Sequence, residues 1–201
     1  MKRRGHGRLI LAISVILIMA AGVAGCSITV GGTPREARKI KKADVKVENK
    51  GCELMSKNPL EKETDPEFVK AVEEYYTSLA EKTDYIEAYE GIEVYEKKGL
   101  YQDTYVAFVK YGMKIKDIYT IVPGLGTLYV VKDGTGGTYQ IHTEELDDRT
   151  EDYIEAVAAH EDVQTVMEES RSEYQKAVQS DALLQEALLD LKQAYENSTG
   201  S

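Results

Sequence analysis

The sequence predicts an α+β domain, in which a helix packs on a curved four-stranded antiparallel sheet and further helices follow at the C-terminus. Three observations carry this. Apolar residues recur at helical spacing after "TDPEF"; four stretches between residues 92 and 142 alternate like half-buried strands; and the last third returns to helical spacing.

The first 25 residues read as an export signal. "MKRRGHGR" is basic, "LILAISVILIM" is uncharged and apolar, and "AAGVAGC" is built of small residues. The uncharged run 9–25 would make a helix of about 26 Å, just short of a ~30 Å hydrocarbon core, so length alone leaves an uncleaved anchor open. Val23 to Cys26, "VAGC", resembles the lipobox of bacterial lipoproteins. That resemblance implies diacylglyceryl transfer to the Cys26 sulfur, cleavage before Cys26 and acylation, often by palmitate, of the new amino group. Two or more chains anchor firmly where one does so marginally. Cys26 is thus the expected lipid attachment, with the membrane as partner and the outer face of the cytoplasmic membrane as location.

Residues 26–64 read as a flexible basic tether, with turn residues and charges but no sustained period. It either lies along an anionic surface or is a solvated spacer. Cys52 then has no intramolecular partner once Cys26 is lipidated, and reads as an inert linker thiol.

The domain is expected over residues 65–201. Thr64 or Asp65 can cap the first helix and Pro66 suits its first position. Phe68, Val69, Val72, Tyr76, Leu79 and Ala80 share one face, and the helix should end near Lys82. "TDYIEAYEG" reads as a connection or short helix. Strands are expected at 92–97, 104–115, 127–131 and 138–142. In the second, Tyr105, Ala107, Val109, Tyr111, Met113 and Ile115 face one way. Gly112 could mark a bulge, "IVPGLG" breaks the chain, and "KDGTGG" reads as a hairpin turn. Thr150 is the expected cap of the next helix. Val163, Val166, Met167, Tyr174 and Val178 then mark one face, and Leu184, Leu188, Leu191 and Tyr195 another.

Composition bounds the function. The chain has 25 Lys and Arg against 35 Asp and Glu. Eleven of the bases and three of the acids precede residue 51, which leaves residues 51–201 at −18. Such an acidic body repels phosphates, so no nucleic-acid partner is expected. Fourteen tyrosines against two phenylalanines and no tryptophan suit a half-solvated sheet or a groove with a polar lining.

A helix entering at proline, followed by a long meander, resembles the NTF2-like (cystatin-like, cone-shaped) α+β fold. More narrowly, "NPLEKETDPEFVKAVEEYYTSLAEK", "YIEAYEGIEVYEKKG", "YVAFVKYGMKIKDIYTIVPGLGTLYVV" and "GTYQIH" are similar to a group of Gram-positive lipoproteins that carry a lipobox, a charged linker and one such domain. The likeness covers about residues 58–195. The chain departs from the fold's pattern in leaving little room for a second helix before the sheet, and in ending with helices. The group supplies no catalytic residue to transfer.

The motifs for chemistry are incomplete. "HEDVQ" lacks the second histidine of H-E-x-x-H, and His142 and His160 read as surface residues. "GLGTLY" and "GTGG" complete no phosphate-binding loop, and no G-x-S-x-G occurs. The run 144–152 has no calcium-loop spacing. No cofactor or metal is therefore expected. The sharpest enzyme alternative is a pocket pairing a carboxylic acid with a tyrosine hydroxyl, from Tyr105, Tyr111 and Tyr129 with Asp103 or Asp117. The leading expectation is a non-enzymatic module binding an envelope protein, peptide or small ligand, with a purely structural spacer as the third reading.

Overall fold

The computed structural model describes residues 47–134 and 137–199. Residues 1–46, which include the expected export segment, Cys26 and most of the expected tether, lie outside the described residues. Element order is a short strand β1 (Glu61–Lys62), helix α1 (Pro66–Glu81), strands β2 (Ile86–Lys98), β3 (Thr104–Ile115), β4 (Val122–Lys132) and β5 (Tyr139–Ile141), then helices α2 (Asp148–Ala158), α3 (Glu161–Ser180) and α4 (Ala182–Thr199). The strands form one antiparallel sheet in the order β1-β2-β3-β4-β5. The architecture is α+β as expected, with two corrections: the sheet has five strands rather than four, and a strand precedes the first helix.

Asp65 caps α1, accepting the Glu67 amide at 3.0 Å, and Pro66 fills the first turn. Phe68, Val72 and Tyr76 are fully buried against Ala107, Val109, Tyr111 and Met113 of β3. Each such side chain contributes about 1.5–3 kcal/mol through removal from water. The alternate residues of β3, Val106 and Phe108, are equally buried on the other face, against Tyr153, Ile154 and Val157 of α2 and Val163 of α3. The sheet is therefore a middle layer, with α1 on one face and α2 and the start of α3 on the other. α3 packs on β4, the strand that β5 pairs only at Val130, Val131 and Lys132. Asp181 separates α3 from α4; its carboxylate accepts the Leu183 and Leu184 amides and the Thr120 hydroxyl, joining the helix corner to the β3–β4 turn.

β2 starts at Ile86 rather than 92, because "YIEAYEG" is strand, not helix. Its register shifts twice, between Ile86 and Ala88 and between Glu90 and Glu93. Gly91, at φ +60, lies in the second shift. Each extra residue reverses the facing of the strand beyond it, so Ile86, Tyr89 and Val94 all meet the α1-side core despite odd spacings. The bulge thus belongs to β2 and not to Gly112, which pairs regularly with Glu90 and Pro123. β4 runs unbroken from Val122, where "IVPGLG" suggested a break. α2 is capped by Asp147, not Thr150: Asp147 accepts the Thr150 amide and hydroxyl at 3.0 Å, and buried Thr150 sits one turn inside.

Residues 47–64, expected as part of a tether, instead pack on the domain. Glu48 bridges to Tyr101, and Asn49 donates to the Gly99 and Tyr101 carbonyls. Cys52 is buried among Val106, Tyr129 and Tyr153 rather than standing in a linker. Polar residues supply the reason. Asn58, almost fully buried, donates to the Cys52 and Lys98 carbonyls and accepts the Lys98 amide. Its own carbonyl accepts Lys97 Nζ at 2.7 Å. Fully buried Lys97 also pairs with Asp162 at 2.8 Å, and Tyr153 donates to the Lys98 carbonyl. A buried lysine persists only when paired and hydrogen-bonded, and this segment provides the partners.

Candidate functional site

The five residues expected to form an acid–tyrosine pocket are not brought together. Tyr105 and Tyr111 face α1, whereas Tyr129 lies on the opposite face with its ring 6.1 Å from His142. Asp103 and Asp117 sit in the turns at opposite ends of β3, at φ 58 and 64, a left-handed conformation that aspartate tolerates. His160 meets the Glu53 carbonyl through Nε2 at 3.0 Å. Among the described residues no group of three or more His, Cys, Asp or Glu is placed to hold a metal ion.

Two tyrosine clusters occupy the α1 face instead. Near its middle, Tyr76, Tyr89 and Tyr111 form a triangle with ring centroids 5.0–5.2 Å apart. Two glycines of β4 make room for it. A Cβ at Gly124 would fall 2.5 Å from the Tyr111 ring, and one at Gly126 would fall 2.2 Å from the Tyr76 hydroxyl. "PGLG" is therefore a seat for tyrosines within a strand. Among the described residues the hydroxyls of Tyr76 and Tyr89 are buried without a hydrogen-bond partner, and burial pushes both far above the usual phenol range.

The second cluster surrounds the start of α1. Tyr105 packs edge-on to Phe68 and Tyr139, at 5.6 and 5.9 Å. The Tyr139 hydroxyl donates to Asp65 at 2.9 Å and accepts Lys132 Nζ at 3.0 Å. The hydrogen bond from Tyr139, then the amide of Glu67, hold the Asp65 carboxyl below its ordinary value. Beside them Glu96 points inward from β2, directly across from Glu61 of β1. It hydrogen-bonds to Glu63, while its Oε2 is buried with no donor facing it among the described residues. Burial first, then the charges of Glu63 and Glu61, push the Glu96 carboxyl up to about 8. The Glu63 Oε1 is already occupied, accepting the Thr64 and Asp65 amides at 2.6 Å.

This arrangement keeps one carboxylic acid protonated at neutral pH beside a tyrosine. It holds a proton but adjoins neither of two surface depressions. One is open, about 680 Å³, lined by Glu145, Leu146, Asp147, Asp148, Arg149 and Asp152. The other, about 20 Å³ between β4, α2 and the end of β5, has room for roughly one water. Glu96 is absent from the residues expected of a site, although the sequence carries a signal for it: it shares the inward parity of Val94 in "IEVYEK", and an acid at an inward position marks a perturbed group.

Comparison of the chain with protein-family models, with curated proteins and with solved structures found no match in any of the three.

Proposed function

We propose that the chain is a lipid-anchored extracytoplasmic module of the cell envelope, which holds its α+β domain at the outer face of the cytoplasmic membrane to bind a partner protein, peptide or small ligand. The observation that carries this reading is the order of the first 26 residues: a basic start, an uncharged run, small residues, then Cys26. The NTF2-like assignment rests on α1 entering at Pro66 and lying across one face of a long meander, with α2 and α3 as additions on the other face. A binding rather than catalytic role is favoured by where apolar surface is left in water. Tyr119 is 96% exposed in the β3–β4 turn and Leu183 is 61% exposed in the first turn of α4, and the Thr120–Asp181 hydrogen bond ties the two segments together.

The anchor is tested by Cys26→Ser in the full chain, with metabolic labelling by radioactive palmitate. The variant should lose the label and keep its uncleaved segment. Label retained at the wild-type level would overturn the lipid reading. Binding is tested by chemical cross-linking in intact cells. Tyr119→Ser with Leu183→Ser should lose the cross-linked species formed by wild type, and an unchanged pattern would remove the turn from the binding surface.

A further inference from the structure

We propose that Glu96 and Glu63 form a proton-operated latch that holds β1, and with it the approach to α1, on the edge of the sheet. The inference stands on the described domain and does not depend on the lipid anchor.

β1 is only two residues long, and its pairing with β2 sets Glu61 opposite Glu96 and Lys62 opposite Tyr95. Like charges directly opposite in an antiparallel pair destabilise it. Residues 61, 63 and 96 share the α1 side, so the charge of Glu61 adds to that of Glu63 against Glu96. Two carboxyls in hydrogen-bond contact need one proton between them, because an ionised carboxylate only accepts. With the proton present, Glu96 donates to Glu63, and Glu63 keeps its two amide donors at Thr64 and Asp65. With it removed, two negative oxygens face each other, and Glu96 Oε2 is left buried and charged without a donor. Relief comes when Glu63 swings away. That gives up the two amides and the bond from its own N–H to the Val94 carbonyl, so β1 lifts from β2.

The other ionisable groups around the pair do not replace the proton. Lys98 of β2 lowers the proton affinity of Glu96, but by less than burial, Glu63 and Glu61 raise it. Lys132 of β4 is engaged by Tyr139 of β5, whose hydroxyl is given to Asp65 of α1. Tyr105 of β3 stays neutral throughout, as burial raises it. In the lifted form Glu96 returns to ordinary carboxyl behaviour, while in the closed form it keeps its proton up to about 8. Closure is therefore complete in mild acid, weakens as pH rises through this interval, and levels off above it.

Amide hydrogen exchange on the full-length protein tests this, with rates corrected for the intrinsic pH dependence of exchange. Protection of the amides of residues 61–65 should fall at least about tenfold between pH 5 and pH 8 and change little above it, a bound lowered for partial solvent screening. Protection at Phe108 and Val109, in the central strand, should stay constant. Glu96→Gln should abolish the pH dependence, its amide donating to Glu63 at every pH. Glu63→Gln, which retains an acceptor for the two amides and gains a donor for Glu96, should do the same from the other side and serves if the first variant folds poorly. Constant protection in wild type, or an equal fall in both variants, would overturn the latch.

Discussion

Lys97 Nζ and Asp162 Oδ2 lie 2.8 Å apart, with the lysine side chain wholly buried and the aspartate 28% exposed. The pair joins β2 to the first turn of α3. Asp162 also accepts the Leu60 and Val163 amides, at 2.7 and 2.8 Å.

The two partners are not equivalent, and their removal should show it. Asp162→Ala strands a buried ammonium and should cost about 2–3 kcal/mol, below the range for a fully buried pair because Asp162 reaches water. Lys97→Met removes the charge with the need for it and should cost about 1 kcal/mol. Urea unfolding of both variants checks the order. Burial raises the Asp162 carboxyl, but the Lys97 hydrogen bond and the two amides outweigh it, so the net shift is downward. Its stabilisation is present above the ordinary carboxyl range near 4 and is lost as acid protonates it, so Asp162→Asn should flatten the acid limb of stability.

Gly126→Ala should destabilise the domain by about 1–3 kcal/mol, because the new methyl occupies the place of the Tyr76 hydroxyl. Tyr76→Phe removes a buried hydroxyl that has no partner among the described residues and should leave stability unchanged or raise it by about 1 kcal/mol. The double variant should recover part of the Gly126→Ala loss. Thermal unfolding of the four proteins forms the cycle, and strict additivity would contradict the contact.

Cys52 should resist thiol reagents in the native protein and react at the rate of segment opening. It is buried against Val106 and Tyr129. Disulfide-exchange labelling followed over time checks this. Labelling at the rate of a free peptide thiol would mean that residues 47–60 do not stay docked.

These tests fall where sequence and structure part. α1 is legible because cap, proline and a continuous apolar face agree, and β3 because one face carries an apolar residue at every second position from Tyr105 to Ile115. The start of β2 is hidden by its two register shifts: they bring Tyr85, Ile86, Ala88 and Tyr89 to a spacing that imitates a helix. The glycines of β4 resemble a break because the tyrosines that fill their places come from other elements. Docking of residues 47–64 is invisible for a related reason. Asn58 and Lys97 look like solvated linker and surface residues until they meet across 39 positions. In the site, Tyr105 is among the residues expected, but the carboxyl that acts on it more strongly is Glu96, ahead of the turn residue Asp103.

The clamp at Asn58 also has a mechanical meaning. Tension applied to the chain before residue 47 is not delivered to the end of α1. It reaches first Val47, Glu48 and Asn49, held at the β2–β3 turn, and then Asn58, bonded along the last residues of β2. The load is shared by several bonds pulled together and passed into the longest strand, so β1 and the cap at Asp65 are sheltered from a pull on the preceding chain. The domain is moored at the end of β2, one strand in from the edge of its sheet.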